Sequence, residues 1–345
     1  MRYPAFLTLL FTLFIGLSIS ANAAPPTVNK APEPPTCKGA NILDEIKQSK
    51  PDVYAEIIKE AQAYKNGKSL LWRIEKKGVA DSYLFGTVHI TDPRVHKLTE
   101  AVKSSFEGSR ILILEAVNLN EATMAKAMLS VMPQTFFSPV ADKDLDDYLT
   151  PDEMKAAKKI AKSMGMPQNM VKMVKPWLIA ISMALPPCEA LRAKAGLASL
   201  DARLEADAKK MGKPAIGLET ADSQLQIMAS IPLDAQVAWL KSSIEQYART
   251  EDFMETMVDL YLARDIGVMF PLSIKFSKDP KVAEASTKIF QEKLINQRNV
   301  KMVENARAEI DKGAAFIGVG ALHLGGDMGI VELLRQAGYK VTSME

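Results

Sequence analysis

Between Ser69 and Ile90, in "SLLWRIEKKGVADSYLFGTVHI", apolar and polar positions alternate, turn near Gly78 and resume at Ser82. That period of two predicts a hairpin of strands. "RILILEAV" (Arg110–Val117) and "KPAIGLET" (Lys213–Thr220) are instead short continuous apolar runs, the pattern of strands buried on both faces, and each ends in an acid, Glu115 or Glu219. Near the C-terminus "AAFIGVGALHLGG" predicts a strand and a loop, "GDMGIVELLRQAGY" a helix and "KVTSM" a last strand. Helical periods fill the remainder. One runs from Asn41 to Tyr64, broken at Pro51, with Val53, Ile57 and Ile58 sharing a face. Another covers about residues 121–210 in several pieces, one of them starting at Thr150-Pro151-Asp152-Glu153, and a third covers Ala221 to Lys312.

Strands followed by helices predict an α/β fold around one sheet. In such sheets ligands bind beyond the carboxyl ends of the strands. His89, Glu115, Glu219 and His323 all fall there. The chain has 3 histidines, and two of them share one frame: Gly86-x-x-His89 and Gly320-x-x-His323. Glycine ahead of each lets the backbone turn tightly or approach a ligand closely.

Composition narrows the setting. With 345 residues, 48% hydrophobic, the chain can bury one large core or two modest ones. Its 43 basic and 41 acidic residues leave a net charge of +2, with no basic arm or stripe that would suit nucleic acid. The start, "MRYPAFLTLLFTLFIGLSISANAA", reads as a cleavable export signal over residues 1–23. Arg2 precedes a short apolar run, Phe6 to Ile19, and Ala21-Asn22-Ala23 supplies the cleavage frame. Cleavage there removes one positive charge and leaves +1, from 42 basic and 41 acidic residues. A proline-rich leader follows over 24–40, then one domain over 41–345, with no further stretch apolar enough to span a bilayer. Export places the chain in the periplasm or outside the cell, where the 2 cysteines, Cys37 and Cys188, are expected to form a disulfide.

Two imidazoles and one or two carboxylates at converging strand ends suit an open divalent-metal site that lowers the pKa of a bound water. Glu115, after four apolar residues, needs a partner or a role to be buried. Glu219 can serve the site or cap the following helix. His96, in "TDPRVHKL", reads as a solvated loop residue, and Arg298, in a charge-rich helix, as a surface arginine. Met166, Met170 and Met173 are spaced to share a helical face, for core packing or for an adaptable peptide groove.

These segments, from about Ser69 to Val341, resemble the TraB/GumN family, which includes the Tiki proteases. "LLWRIEKKGVADSYLFGTVHITDPRV", "LILEAV", "GLASLDARLEADAKKMGKPAIGLETADSQL", "QRNVKM" and "FIGVGALHLGGDMGIVELLRQAGYKV" carry the resemblance in the family's order. It implies a central mixed, largely parallel β-sheet flanked by helices, related to erythromycin esterase and the ChaN haem-binding proteins, with a large helical insertion at about 121–210. It also implies a divalent-metal hydrolase, peptidase-like, using manganese, cobalt or zinc. His89, His323 and Glu219 are the metal ligands in that reading. Glu115, its pKa raised toward the working range, is the general base, and the two acids are able to exchange roles. Arg298 and Asn299 complete the catalytic set. The partners would be a peptide or small-molecule substrate. A haem- or metal-ligand-binding protein and a peptide-sequestering protein use the same residues and stay open.

Overall fold

The structure, a computed structural model, describes residues 36–137, 143–163 and 165–345. The expected signal, 1–23, and the leader as far as residue 35 lie outside the described residues. Six strands form one sheet in the order β4-β3-β5-β2-β1-β6. They are β1 (Leu71–Glu75), β2 (Ser82–Thr87), β3 (Ile111–Leu114), β4 (Ala215–Gly217), β5 (Ala315–Gly320) and β6 (Lys340–Ser343). β1 and β2 are the expected hairpin, paired antiparallel with Trp72 opposite Leu84. Gly78 takes the left-handed conformation in the turn, at φ 85°. β2, β5, β3 and β4 are parallel neighbours, whereas β6 returns antiparallel beside β1. The sheet is therefore mixed and mostly parallel, as expected.

β5 lies between β2 and β3, and all six of its residues are buried. Phe316, its second residue, packs tilted against Phe85 and edge-on against Phe106, with ring centroids 5.9 and 5.4 Å apart. Helices Glu100–Gly108, Leu200–Lys210, Gln297–Ile310 and Ile330–Gln336 bury Val102, Leu204, Met302 and Val331 against this sheet core. One expectation fails at the opposite edge. Lys213–Thr220 is not a buried strand: only Ala215–Gly217 is extended, and its residues are half-buried or exposed. Among the described residues β4 pairs with β3 alone and stands at the edge of the sheet.

A second core is built mainly from helices. It joins Met124, Val131, Trp177 and Met183 to Leu225, Met228 and Leu240, and reaches Leu294 just ahead of the helix Gln297–Ile310. Here the methionine spacing misleads. Helix Pro151–Ser163 stops before Met166, because Gly165 turns left-handed at φ 80° and Pro167 cannot continue a helix. Met166 is buried, Met170 precedes a short 3₁₀ turn, Val171–Met173, and Met173 is exposed. The three share no helical face.

The N-terminal segment is pinned twice. Cys37 is disulfide-bonded to Cys188, at the start of helix Pro187–Lys194. Residues 38–42 then run along helix Thr250–Leu262, with Lys38 N donating to Glu251 Oε2 (2.9 Å), Ala40 N to Asp252 Oδ1 (2.7 Å) and Ile42 N to Thr256 Oγ1 (2.8 Å). A Cβ on Gly39 would sit 2.0 Å from the Glu251 carbonyl oxygen. Gly39→Ala is therefore expected to cost about 1–3 kcal/mol, read as a lower urea midpoint with the disulfide intact. Among the described residues no helix is long and apolar enough to cross a membrane.

Candidate active site

Parallel pairing of β2, β5, β3 and β4 puts their carboxyl ends in a row, and each supplies one side chain. His89 follows β2, His323 closes a 3₁₀ turn after β5, Glu115 follows β3 and Glu219 follows β4. Arg298 and Asn299 reach the same place from helix Gln297–Ile310, where both are buried. A π-helical turn, Gln291–Asn296, precedes that helix, a feature frequent at functional sites.

Glu115 is the hub. Its Oε1 accepts the Gly320 N–H at 2.6 Å and lies 3.7 Å from His89 Nε2 and 3.5 Å from His323 Nε2. Its Oε2 accepts from Arg298 Nη2 at 2.5 Å. Glu219 instead faces Arg298, accepting from Nε at 3.0 and 3.1 Å and from Nη2 at 2.6 Å. Arg298 Nη1 donates to the Leu294 carbonyl (3.2 Å) and lies 3.3 Å from His323 Nε2. All five guanidinium N–H groups are thus engaged.

Each imidazole is held from behind. Asn299 Nδ2 donates to the carbonyls of His323 (3.2 Å) and Met328 (2.7 Å), which turns Oδ1 toward His323 Nδ1 at 2.6 Å. His323 therefore carries its proton on Nδ1 and a lone pair on Nε2. His89 Nδ1 lies 2.8 Å from Asp201 Oδ2, and the other Asp201 oxygen accepts from Thr87 Oγ1 at 2.6 Å. Gly320 leaves the space between them open: a Cβ there would stand 3.1 Å from both Glu115 Oε1 and His89 Nε2. Among the described residues no group of three or more His, Cys, Asp and Glu is spaced, as the side chains stand, to hold one metal ion.

Residues 70–343, which include all six strands and every side chain of this cluster, match the TraB/PrgY/gumN family. The chain belongs to the TraB/PrgY/gumN family. It is similar to the uncharacterized protein YbaP of Shigella flexneri, 22% identical over 260 residues that cover 75% of this chain and 89% of the relative. The YbaP protein of Escherichia coli K12 is 23% identical over 225 residues, 65% of this chain and 80% of its own. No solved structure matches.

In this TraB/PrgY/gumN chain the charges are divided unevenly across the cluster. Burial pulls the His89 pKa down, but Asp201 and Glu115 outweigh it and hold it well above the ordinary imidazole value. Burial pushes His323 down to about 3, with Arg298 and His89 adding to it against the pull of Glu115. The surroundings thus drive the two rings in opposite directions, His89 toward the charged form and His323 toward the neutral one. Burial alone would raise Glu115, but Arg298 and the two histidines hold it well below the usual carboxylate range. The expectation of a Glu115 pKa raised toward neutrality is thus reversed, because the guanidinium sits directly on its outer oxygen.

Sequence reasoning did not single out Asp201. It sits in the first turn of helix Leu200–Lys210 behind the Ser199 cap, where an acid is ordinary dipole chemistry. No local pattern distinguishes it; only the fold brings it to His89. His96 differs in the other direction. It is half-buried rather than solvated, its Nε2 has no hydrogen-bond partner, and burial, aided by Arg203, lowers its pKa.

Proposed function

We propose that this chain is a metal-dependent hydrolase of peptides or small acyl substrates, working in the periplasm or outside the cell. The observation that carries the reading is the opposed pair of imidazoles. Two Nε2 atoms face one carboxylate oxygen at 3.5 and 3.7 Å, and each Nδ1 is fixed by an oxygen of Asn299 or Asp201. Metal-ligating histidines almost always have their second nitrogen held in this way. The donor chemistry fits a divalent ion held by His89, His323 and Glu115, with Glu219 left to hold Arg298. Manganese, cobalt or zinc there would supply Lewis acidity toward a carbonyl and lower the pKa of water.

The residues of the chain do the remaining work. Glu115, kept anionic by Arg298 and oriented by the Gly320 N–H, serves as a donor rather than as a base. Asp201 and Asn299 set the two ring orientations. Arg298 supplies the counter-charge to both carboxylates inside the protein, and one of its N–H groups rests on His323 Nε2. That N–H is released when Nε2 takes another partner, and then becomes available to a developing oxyanion. Such a donor is worth about 3 kcal/mol in the transition state. The Cys37–Cys188 bridge supports an oxidising compartment.

Metal analysis of the purified chain, followed by cleavage of a peptide library, tests the reading. His89→Ala and His323→Ala are each expected to lose metal and turnover together, and Asp201→Asn to weaken metal binding by about 10- to 100-fold. Histidine variants that bind metal as the parent does would remove the site. A parent that holds metal but cleaves neither peptides nor esters would keep the site and remove the hydrolase.

A further inference from the structure

Helix Pro151–Ser163 turns its apolar face inward, burying Met154, Ala157, Ile160 and Ala161 in the helical core. Its outer side carries Lys155, Lys158, Lys159 and Lys162, spaced i, i+3, i+4 and i+7. All four line a cleft of about 750 Å³, together with Leu149 and Asp146 among others. Elsewhere four lysines in or just past helices pair with an acid one turn away: Lys103 with Glu100, Lys210 with Asp207, Lys288 with Glu284, Lys312 with Glu309. Here three of the nearby acids are engaged otherwise, while Asp146 lines the cleft itself and Asp152 stands at the start of the helix. Glu153 accepts from Thr150 and faces Lys241, Asp144 pairs with Lys172, and Asp147 accepts the Asp144 N–H. Four ammonium groups one turn apart repel one another, a local cost that an external anion would relieve.

We propose that this lysine cleft docks the protein on a membrane surface by binding the phosphates of anionic lipid headgroups. The row spans seven residues of helix, roughly 10 Å, more than one phosphate can neutralise and suited to several side by side. Apolar contact adjoins the charge. Leu149 lines the cleft, and the turn Val171–Met173, which packs against the same helix, leaves Met173 51% exposed. Cations beside an exposed apolar side chain fit the headgroup boundary better than they fit a soluble polyanion. Because the lysines sit on the helix surface, such docking is peripheral, reversible and sensitive to salt.

Co-sedimentation of the full mature chain with vesicles decides this independently of any catalytic role. Phosphatidylcholine vesicles with about one-third phosphatidylglycerol are expected to bind the protein, and pure phosphatidylcholine vesicles to leave it in solution. Salt at about 0.5 M should release it. Lys155→Glu with Lys159→Glu, both exposed positions, should weaken binding at least about 25-fold, fivefold for each lysine. Lys77→Glu with Lys209→Glu makes the same charge change at other exposed positions and should have little effect. Equal losses in the two double variants would reduce the effect to net charge and overturn the proposal. So would absence of parent binding. Binding of inorganic polyphosphate as tight as that of vesicles, with Met173→Ser neutral in both, would make the cleft a soluble-polyanion site instead.

Discussion

Arg298→Met is expected to destabilise the protein by about 3–5 kcal/mol, because it strips the counter-charge from two buried carboxylates. Glu115 and Glu219 have side chains only 8% and 5% exposed, and both take their shortest ionic contacts from Arg298. Methionine approximates the stem but replaces none of the five guanidinium N–H donors. The effect should largely vanish when the charges are removed together. Arg298→Met combined with Glu115→Gln and Glu219→Gln is expected to unfold much nearer the parent's urea midpoint than Arg298→Met alone, a non-additivity that marks direct coupling. If Arg298→Met alone matches the parent, the guanidinium is not what keeps these acids buried. Its position in the chain, within a charge-rich helix, predicts none of this.

Removing the disulfide, by Cys37→Ser with Cys188→Ser, should cost about 3–5 kcal/mol on the chain-entropy argument for a long closed loop. The two cysteines are 151 positions apart. Part of the loss should reach the active site through contacts that start at the bridge. Glu189, next to Cys188 and 2% exposed, accepts the Thr91 N–H two residues beyond His89. Arg192 on the same helix lies 3.3 Å from Asp92, and Asp92 bonds Arg94, which reaches Glu255 through two bonds of 2.7 Å. Thermal unfolding of the parent with and without dithiothreitol reads the same quantity without mutation. Identical melting temperatures in the two conditions would show that the non-covalent contacts of the tail suffice.

The strands and their ends were legible because a period of two, and continuous apolar runs, leave marks in local sequence. Glu115 and His323 stand where such runs stop, and the fold adds only that the runs are neighbours. Arg298 and Asn299 had no such mark: a helical arginine looks the same whether it meets solvent or two glutamates. Asp201 was hidden for the same reason, since an acid in a first helical turn already has an explanation. The spacing of Met166, Met170 and Met173 carries no helical face, because Gly165 and Pro167 prevent the helix from continuing. Burial alone raises a carboxylate, but here burial brings Arg298 with it, and a cation supplied by a distant helix leaves no mark in the sequence around Glu115.

The strand order has a consequence for the way the chain is built. β5, the central strand with parallel neighbours on both sides, is fifth in sequence, and its Ala315 N–H bonds Ser82 Oγ across 233 positions. Until β5 exists, β2 and β3 have no common partner and the sheet is two separate fragments. Contacts this distant in sequence make assembly slow, and they tie it to the synthesis of β5. His323 follows β5 by three residues and Gly320 is its last member. The strand that closes the core thus also delivers the second imidazole and the N–H that orients Glu115. A newly made chain does not pass through a stage in which the scaffold is finished and the cluster absent.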